Sequence, residues 1–291
     1  MDIKDLLFSE KIILTDGSMG TYLDMHGYSG ITPECANIDT PDLIASIHKE
    51  YIEAGASVIL TNTFGANKSR LSLKNLIDKL ELINLKGVEI SIEVRDKYKS
   101  VFVAGDIGPT GALLEPYGNL TIREAEDIFL SQALLLEKAG VDFILLETFQ
   151  DLTEMKVAYN IIKEECSLFV IPSFALTSGG ENRTLMGQKI EDLLKWADKV
   201  GVLGINCGLT SEEMKKVVKK VTQLSDIPLW VKPNAGIPQL SSGKIIYPET
   251  KEEFVDNCFE MVKENVKFIG GCCGTTPSYI SRLKKVIDDN I

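Results

Sequence analysis

Histidine is scarce in this chain of 291 residues: there are two, His26 and His48. His26 falls in an expected loop and His48 on an expected outer helix, so both read as surface or loop residues outside the chemistry. Close Cys-x-x-Cys pairs are missing altogether, which removes the usual structural zinc finger. No apolar run approaches the ~20 residues that span a bilayer, so no membrane is expected as a partner. Positive charge is in deficit. Lys and Arg number 31 against 42 Asp and Glu, a net charge of −11, and such a surface repels the phosphates of nucleic acid. The first residues, Met1-Asp2-Ile3-Lys4-Asp5, are acidic and lack the apolar core of a signal peptide, so a mature cytoplasmic protein is expected. Linkers, low-complexity stretches and internal repeats are also missing, and residues 1–291 are therefore expected to form one domain.

What the chain does have is alternation. Eight apolar, β-rich runs are expected as strands: 12–15, 57–61, 101–105, 142–147, 168–173, 202–206, 228–232 and 267–270. Most are continuous rather than alternating, as strands covered on both faces should be. Between them lie helix signals. Thr40-Pro41 supplies a cap and a first-turn proline before Leu43, Ile44, Ile47 and Tyr51. Thr210 with Glu213 and Thr250 with Glu253 form capping boxes, Thr276-Pro277 starts the last helix, and Gly55 and Gly140 follow helices as C-terminal caps. Eight strand–helix units predict a (β/α)8 TIM barrel, an α/β fold that needs ~250 residues. A doubly wound open sheet would normally carry a glycine-rich phosphate loop after its first strand, and Asp16-Gly17-Ser18-Met19-Gly20 does not fit that pattern. Two strand-to-helix loops are long, 17–39 and 106–120, and lids or substrate loops are expected there.

Chemistry in such a barrel sits at the C-terminal strand ends. Those ends carry Asp16, Asn62, Asp106, Glu147, Asn206-Cys207, Lys232-Pro233-Asn234 and Cys272-Cys273. Three thiols, in Gly204-Ile205-Asn206-Cys207 and Gly270-Gly271-Cys272-Cys273-Gly274, match the ligand count of a catalytic zinc site with one open position. Glycines at 270, 271 and 274 permit the sharp turn by which adjacent cysteines share one ion. A disulfide between neighbours is strained. The remaining thiols, Cys35 in a loop and Cys166 and Cys258 in expected helices, read as packing or surface groups.

Three thiolates leave Zn²⁺ with a net charge of −1. Such a site makes hydroxide poorly but suits a substrate thiol held as an electron-rich thiolate. That points to alkyl transfer to a thiol. Glu147 and Asp16 suit a substrate ammonium, and the turn Gly17-Ser18-Met19-Gly20 offers backbone N–H groups to a carboxylate. An amino-acid thiol fits both. For Glu147 the structural alternative is an ion pair with a helix lysine.

Taken in order, Asp16-Gly17-Ser18-Met19-Gly20-Thr21, Thr61-Asn62-Thr63-Phe64-Gly65-Ala66, Gly105-Asp106-Ile107-Gly108-Pro109-Thr110-Gly111, Glu147-Thr148-Phe149, Gly204-Ile205-Asn206-Cys207, Pro233-Asn234-Ala235-Gly236 and Gly270-Gly271-Cys272-Cys273-Gly274-Thr275-Thr276-Pro277 resemble the homocysteine-binding domain of zinc-dependent homocysteine S-methyltransferases. The similarity runs over nearly the whole chain and is greatest to the N-terminal barrel of cobalamin-dependent methionine synthases. The resemblance implies zinc on Cys207, Cys272 and Cys273, with the Asn234 amide oxygen filling the open position until substrate displaces it. It implies that Glu147 and Asp16 hold the amino group of homocysteine, that its carboxylate lies against Gly17, Ser18 and Met19, and that Asn62, Thr63 and Asp106 line the same mouth. Methylcobalamin or another methylcorrinoid, carried by a separate protein, is the implied donor, because folate, cobalamin and reactivation domains have no counterpart in this length. A small donor, betaine or S-methylmethionine, is the alternative, and another thiol or a selenol could replace homocysteine as acceptor. Two other classes remain: a Schiff-base lyase using Lys232, which is expected to point toward the helix layer, and a non-catalytic module binding zinc or thiols.

Overall fold

The protein is seen here in a computed structural model that describes residues 3–7, 9, 11–179, 182–241 and 243–291; Met1 and Asp2 of the acidic N-terminus lie outside the described residues. Among the described residues, eight parallel strands pair in the order β1 (Ile13–Leu14), β8 (Val266–Ile269), β7 (Leu229–Asn234), β6 (Leu203–Thr210), β5 (Val170–Phe174), β4 (Phe143–Phe149), β3 (Phe102–Ile107) and β2 (Val58–Leu60). A bridge between Thr15 and Val58 joins the two end strands. There the Ser57 N–H donates to Leu14 O at 2.8 Å and the Asp16 N–H to Val58 O at 3.0 Å. An open sheet would leave those edges apart, so the architecture is the expected barrel. Each strand leads to an outer helix: α1 (Pro41–Glu53), α2 (Leu80–Arg95), α3 (Ile122–Ala139), α4 (Leu152–Glu165), α5 (Ile190–Val200), α6 (Ser211–Thr222), α7 (Lys251–Val262) and α8 (Pro277–Asn290). No helix of the described residues is long and apolar enough to cross a membrane.

The barrel interior is filled, not hollow, as side-chain layers in this fold require. Ile13, Leu60, Ala104, Phe143, Leu145, Ile171, Trp230 and Phe268 occupy it, and Ile3, Leu6 and Leu7 of a short N-terminal helix (Ile3–Leu7) plug the end where the strands begin. The Trp230 ring lies 5.0 Å from Phe268 and 6.0 Å from Phe143. Among the described residues, this packed floor leaves the opposite end of the barrel axis as the place where polar side chains gather.

Local signals set the helix starts unevenly. The boxes at Thr210–Glu213 and Thr250–Glu253 form as expected, and Thr121–Glu124 adds a third. Thr40 does not cap: its Oγ1 is buried without a partner, and Pro41 alone marks the start. Nor does the Thr276 side chain cap α8. The segment 17–39 is not an open loop. It folds into a helix (Gly20–Met25), a 3-10 turn (Pro33–Cys35) and a second short helix (Ala36–Asp39). Cys35 is therefore in a buried turn, Cys166 lies one residue past α4, and Cys258 lies inside α7; all three are buried packing thiols. A hairpin, Gln239–Ser241 with Lys244–Ile246, was not anticipated and projects from the loop after β7.

His48 is not a surface residue. It is fully buried between α1 and α2, with Nε2 3.1 Å from Ser91 Oγ and Nδ1 unpartnered. Positions 44, 48, 51 and 52 of α1 form one buried stripe at helical spacing, and α2 packs across it. Burial holds the imidazole at about 4 against its ordinary 6.5. The folded value lies below the unfolded one, so the unfolded chain takes up the proton first. Stability is then full above pH 6.5 and is lost as pH falls toward 4, by about 3 kcal/mol for this group. Urea midpoints across that window should drop on acidification in the native protein and much less in His48→Gln. Equal pH slopes would remove His48 as the cause.

Candidate active site

β6 carries Cys207 to its position through an irregular end. The register against β7 shifts between Asn206 and Thr210, and Cys207 sits at φ +58°, followed by Gly208 at +72°. A cysteine in the left-handed region is uncommon and strained. Its Sγ lies 3.9 Å from that of Cys273, and the sulfurs of Cys207, Cys272 and Cys273 all fall within 4.8 Å of one another. Thiolates on one tetrahedral zinc, at ~2.3 Å each, stand about 3.8 Å apart. The donor set fits one ion.

The glycines of the second cysteine segment divide into two kinds. Gly274, at φ +84°, supplies the turn. Gly270 and Gly271 are needed instead for close packing: a Cβ there would lie 2.0 Å from Thr15 Oγ1 and 2.4 Å from Thr275 Oγ1. The closeness welds this segment to the turn after β1. Gly271 N–H donates to Asp16 O at 3.1 Å, Ser18 N–H to Thr275 Oγ1 at 3.2 Å, and Thr275 Oγ1 to Cys272 O at 2.7 Å.

As thiols these groups resist ionisation. The hydrogen bond with Cys272 draws Cys207 down, that with Cys273 and burial drive it up, and the net is about 12. Cys272 is held well above its ordinary value, first by its hydrogen bond with Cys207. They become thiolates together only against a cation. A fourth donor stands beside them. Asn234 Oδ1, at the end of β7, is buried with no partner. Its neighbours touch both cysteines: Cys272 N–H donates to Pro233 O at 2.8 Å and Ala235 N–H to Cys273 O at 2.9 Å. A buried acceptor without a donor costs about 1–3 kcal/mol, and a cation at the sulfur cluster would supply what it lacks.

Asn206 braces this centre from below. It is fully buried; its Oδ1 accepts from Ser173 Oγ at 2.6 Å and from Thr148 N–H at 3.0 Å. Its Nδ2 donates to Thr148 Oγ1 at 2.6 Å and reaches Cys272 Sγ at 4.0 Å. One amide thus fixes the backbone next to Glu147 and touches a sulfur. Asn206→Ala should weaken metal binding by about 10–100-fold, read by chelator competition. Unchanged metal affinity would confine Asn206 to a role in the fold.

Next to the sulfur cluster lies a cavity of about 330 Å³ bounded by Cys272, Cys273, Asp106, Glu147, Lys232 and the turn from Asp16 to Thr21. Lys232 does not point into the helix layer. Its Nζ lies inside the mouth, 2.8 Å from Asp16 Oδ1 and 3.7 Å from Glu147 Oε1. Strand alternation explains it: Trp230 faces the barrel interior and Val231 the helices, so Lys232 faces inward again. Burial pulls its ammonium down, but Asp16 and Glu147 outweigh that and hold it above its usual value. A protonated, paired amine is not the free amine a Schiff base needs. Glu147 accordingly pairs with a strand lysine, not a helix lysine.

Other expected substrate residues are partly engaged. Asp16 Oδ1 accepts from Lys232 and Oδ2 from Leu60 N–H at 2.7 Å. Burial raises both Asp16 and Glu147, and Lys232 opposes it. Gly17 packs so tightly that a Cβ would meet Thr275 and Tyr51, while Ser18 and Met19 line the cavity. Asn62 lines it too, but its Nδ2 donates to Pro33 O at 2.8 Å and Asn37 Oδ1 at 2.9 Å, which anchors the first loop. Thr63 lies beneath the lining, its hydroxyl donating to Asp106 O at 2.7 Å.

With this geometry in place, residues 13–287 match the family described as homocysteine S-methyltransferase. The chain belongs to that family. It is 32% identical to methionine synthase of Mycobacterium tuberculosis over 304 aligned positions, and 31% identical to that of Mycobacterium leprae over 303. Those alignments cover 98% and 97% of this chain but 25% of each relative, so the chain spans about a quarter of the length of the curated relatives it matches. The solved structure of the homocysteine methyltransferase MmuM from Escherichia coli, in its metallated form, superimposes with a TM-score of 0.80 over 98% of this chain and 99% of that one. At 23% identity this shows the shared fold.

Several site residues of this homocysteine S-methyltransferase family member escaped the sequence reading. Thr275 stands inside the cysteine motif Gly270 to Pro277 but carried no role of its own there, and its place beside the cysteines was the available signal. Tyr247, whose side chain adjoins the cysteine cluster, and Glu34, which lines the cavity from the first loop, gave none.

Proposed function

We propose that this chain transfers a methyl group to the thiol of L-homocysteine, giving L-methionine. The observation that carries the reading is the convergence of three sulfurs within 4.8 Å at the rim of a cavity walled by Asp16, Asp106 and Glu147. Cys207, Cys272 and Cys273 would hold zinc, with Asn234 Oδ1 as a fourth donor beside them. Zinc held there supplies a substrate sulfur that is ionised and nucleophilic at neutral pH. The chain's own residues orient the substrate. The acidic wall receives the ammonium. The turn from Gly17 to Gly20 receives the carboxylate through backbone amides, and since Ser18 N–H is spent on Thr275, the neighbouring amides take that part. Asn62 and Thr63 hold the first loop and β3 in register around the substrate. The homocysteine sulfur then forms its bond to the methyl carbon as the donor–methyl bond breaks.

The donor in this reading is a methylcorrinoid carried by another protein or domain. Support comes from the methionine synthases, which this chain matches over a quarter of their length. Free thiols throughout accord with a reducing, cytoplasmic setting. The test is methionine formation by reduced, zinc-loaded protein with methylcobalamin as sole donor. Zinc-dependent turnover is expected. Full turnover by metal-stripped protein would overturn the reading, and turnover with betaine or S-methylmethionine alone would reassign the donor.

A further inference from the structure

The turn after β1, Gly17 to Gly20, and the segment after β8, Gly270 to Thr275, belong to different halves of the site. One lines the cavity, and the other carries two of the three sulfurs. Ser18 and Thr275 are 257 positions apart, yet the two segments are bonded together at the mouth. Gly274 N–H donates to Thr21 Oγ1 at 3.1 Å, and the Thr21 hydroxyl donates to Ser18 Oγ at 2.7 Å. Tyr51 of α1 lies beneath both segments, 1% exposed. Its hydroxyl donates to Ser18 O at 2.9 Å and stands 3.3 Å from Thr275 O.

Thr275 joins the two halves directly, from a fully buried position. Its N–H and its hydroxyl both donate to Cys272 O, at 3.1 and 2.7 Å, which closes the turn that holds Cys272 and Cys273. The same hydroxyl oxygen accepts Ser18 N–H at 3.2 Å. With its C=O on Tyr51 and its N–H on Thr275, Ser18 has both flanking peptide planes fixed. A planar trans peptide points its N–H opposite to its C=O, so the Met19 N–H is turned away from Tyr51. There is little slack at this junction. A Cβ on Gly271 would lie 2.4 Å from Thr275 Oγ1, and one on Gly17 would lie 2.7 Å from the same atom. A shift of either cysteine is therefore passed on to Ser18 and to the amides beside it.

We propose that Thr275 is a positioning residue that couples metal loading to recognition of the substrate's carboxylate. The inference rests on the reading of this site as one for an amino-acid thiol, and adds to it a link between the two halves that runs through the protein. Three sulfurs gathered on one cation fix Cys272 and Cys273. Thr275 carries that order to Ser18, and the carboxylate meets the amides of the Gly17–Gly20 turn already arranged. The ordering cost falls once, on metal binding, and a second ligand escapes it. Zinc thus strengthens the binding of an amino acid that has no sulfur to offer it. By linkage, that amino acid strengthens zinc binding by the same factor.

L-2-Aminobutyrate is the probe, because it keeps the ammonium and carboxylate of homocysteine and lacks the sulfur. Its dissociation constant is measured by NMR titration of the reduced protein, zinc-loaded and metal-stripped. Zinc should tighten it about fivefold or more, and chelator competition with and without saturating L-2-aminobutyrate should return the same factor for zinc. Thr275→Val keeps the shape and removes the hydroxyl, so the ratio should fall toward one. Thr275→Ser returns the hydroxyl and should return the ratio. Equal dissociation constants with and without zinc in the native protein overturn the proposal without any variant. So does failure of L-2-aminobutyrate to bind where homocysteine binds, and in both cases the methyl-acceptor reading stands. A native ratio that survives in Thr275→Val also overturns it, and assigns the coupling to the charge of the metal site. A ratio lost equally in Thr275→Ser overturns it too, since packing and not the hydroxyl would be the cause. Failure of both amino acids to bind the zinc-loaded protein would strike the amino-acid-thiol reading itself, and the proposal with it.

Discussion

Cys207→Ala is expected to leave the protein folded and without its metal: about one zinc per chain before, close to none after desalting. The two remaining sulfurs belong to adjacent residues, and Asn234 alone completes the set. A site with two thiolates and one amide lacks the charge and the coordination number that hold zinc against water. Methionine formation should fall by more than the roughly 10–100-fold that loss of an outer supporting residue costs. Cys166→Ala is the control, because its sulfur is buried beyond the end of α4 and outside the cluster; metal content should stay at one. The left-handed backbone at Cys207 accepts alanine no worse than cysteine, so lost metal in the variant would report the missing sulfur and not a broken turn. Retention of a full equivalent of zinc would place the metal elsewhere and remove the basis of the methyl-transfer chemistry.

Lys232→Met should be the most destabilising single change in the cavity wall. The ammonium is 3% exposed and bridges Asp16 and Glu147. Removing it leaves two buried carboxylates without their counter-charge, a loss of about 3–5 kcal/mol where one partner of a buried pair is deleted. The pH dependence distinguishes this from lost packing. Without Lys232, the folded-state values of Asp16 and Glu147 rise further above their ordinary 3.8 and 4.5. A raised folded value means that the folded protein binds more protons, so stability is present at low pH and is lost as pH rises through the raised values. The variant should therefore recover toward the native protein as pH falls through the weakly acidic range. A deficit in urea midpoint that is constant with pH would assign the cost to volume and not to charge. No deficit at all would mean that the acids are already neutral when paired.

Much of the scaffold was legible because it rests on short-range patterns. Continuous apolar runs mark strands covered on both faces, and the Thr210–Glu213 and Thr250–Glu253 boxes operate within one turn of chain. Thr40 shows the limit: its sequence context is a cap, yet packing buries its hydroxyl with no donor to meet. The hairpin after β7 was missed because its strands are three residues each and exposed on both faces, so no periodicity distinguishes them from loop. His48 was misplaced because its burial depends on α2, which begins more than thirty residues later.

The amino-acid sequence by itself determined the barrel and which residues bring sulfur to it, since strand alternation, helix caps and the ordered cysteine motifs are all local features. Only the tertiary structure decided which charged groups share a cavity. Lys232 meets Asp16 across 216 positions of sequence, Thr275 meets Ser18 across 257, and Asp106 is left without a donor by neighbours from four separate elements. Closure of β1 onto β8 creates these juxtapositions, and the energy of a buried charge depends on such neighbours rather than on the residues beside it in the chain.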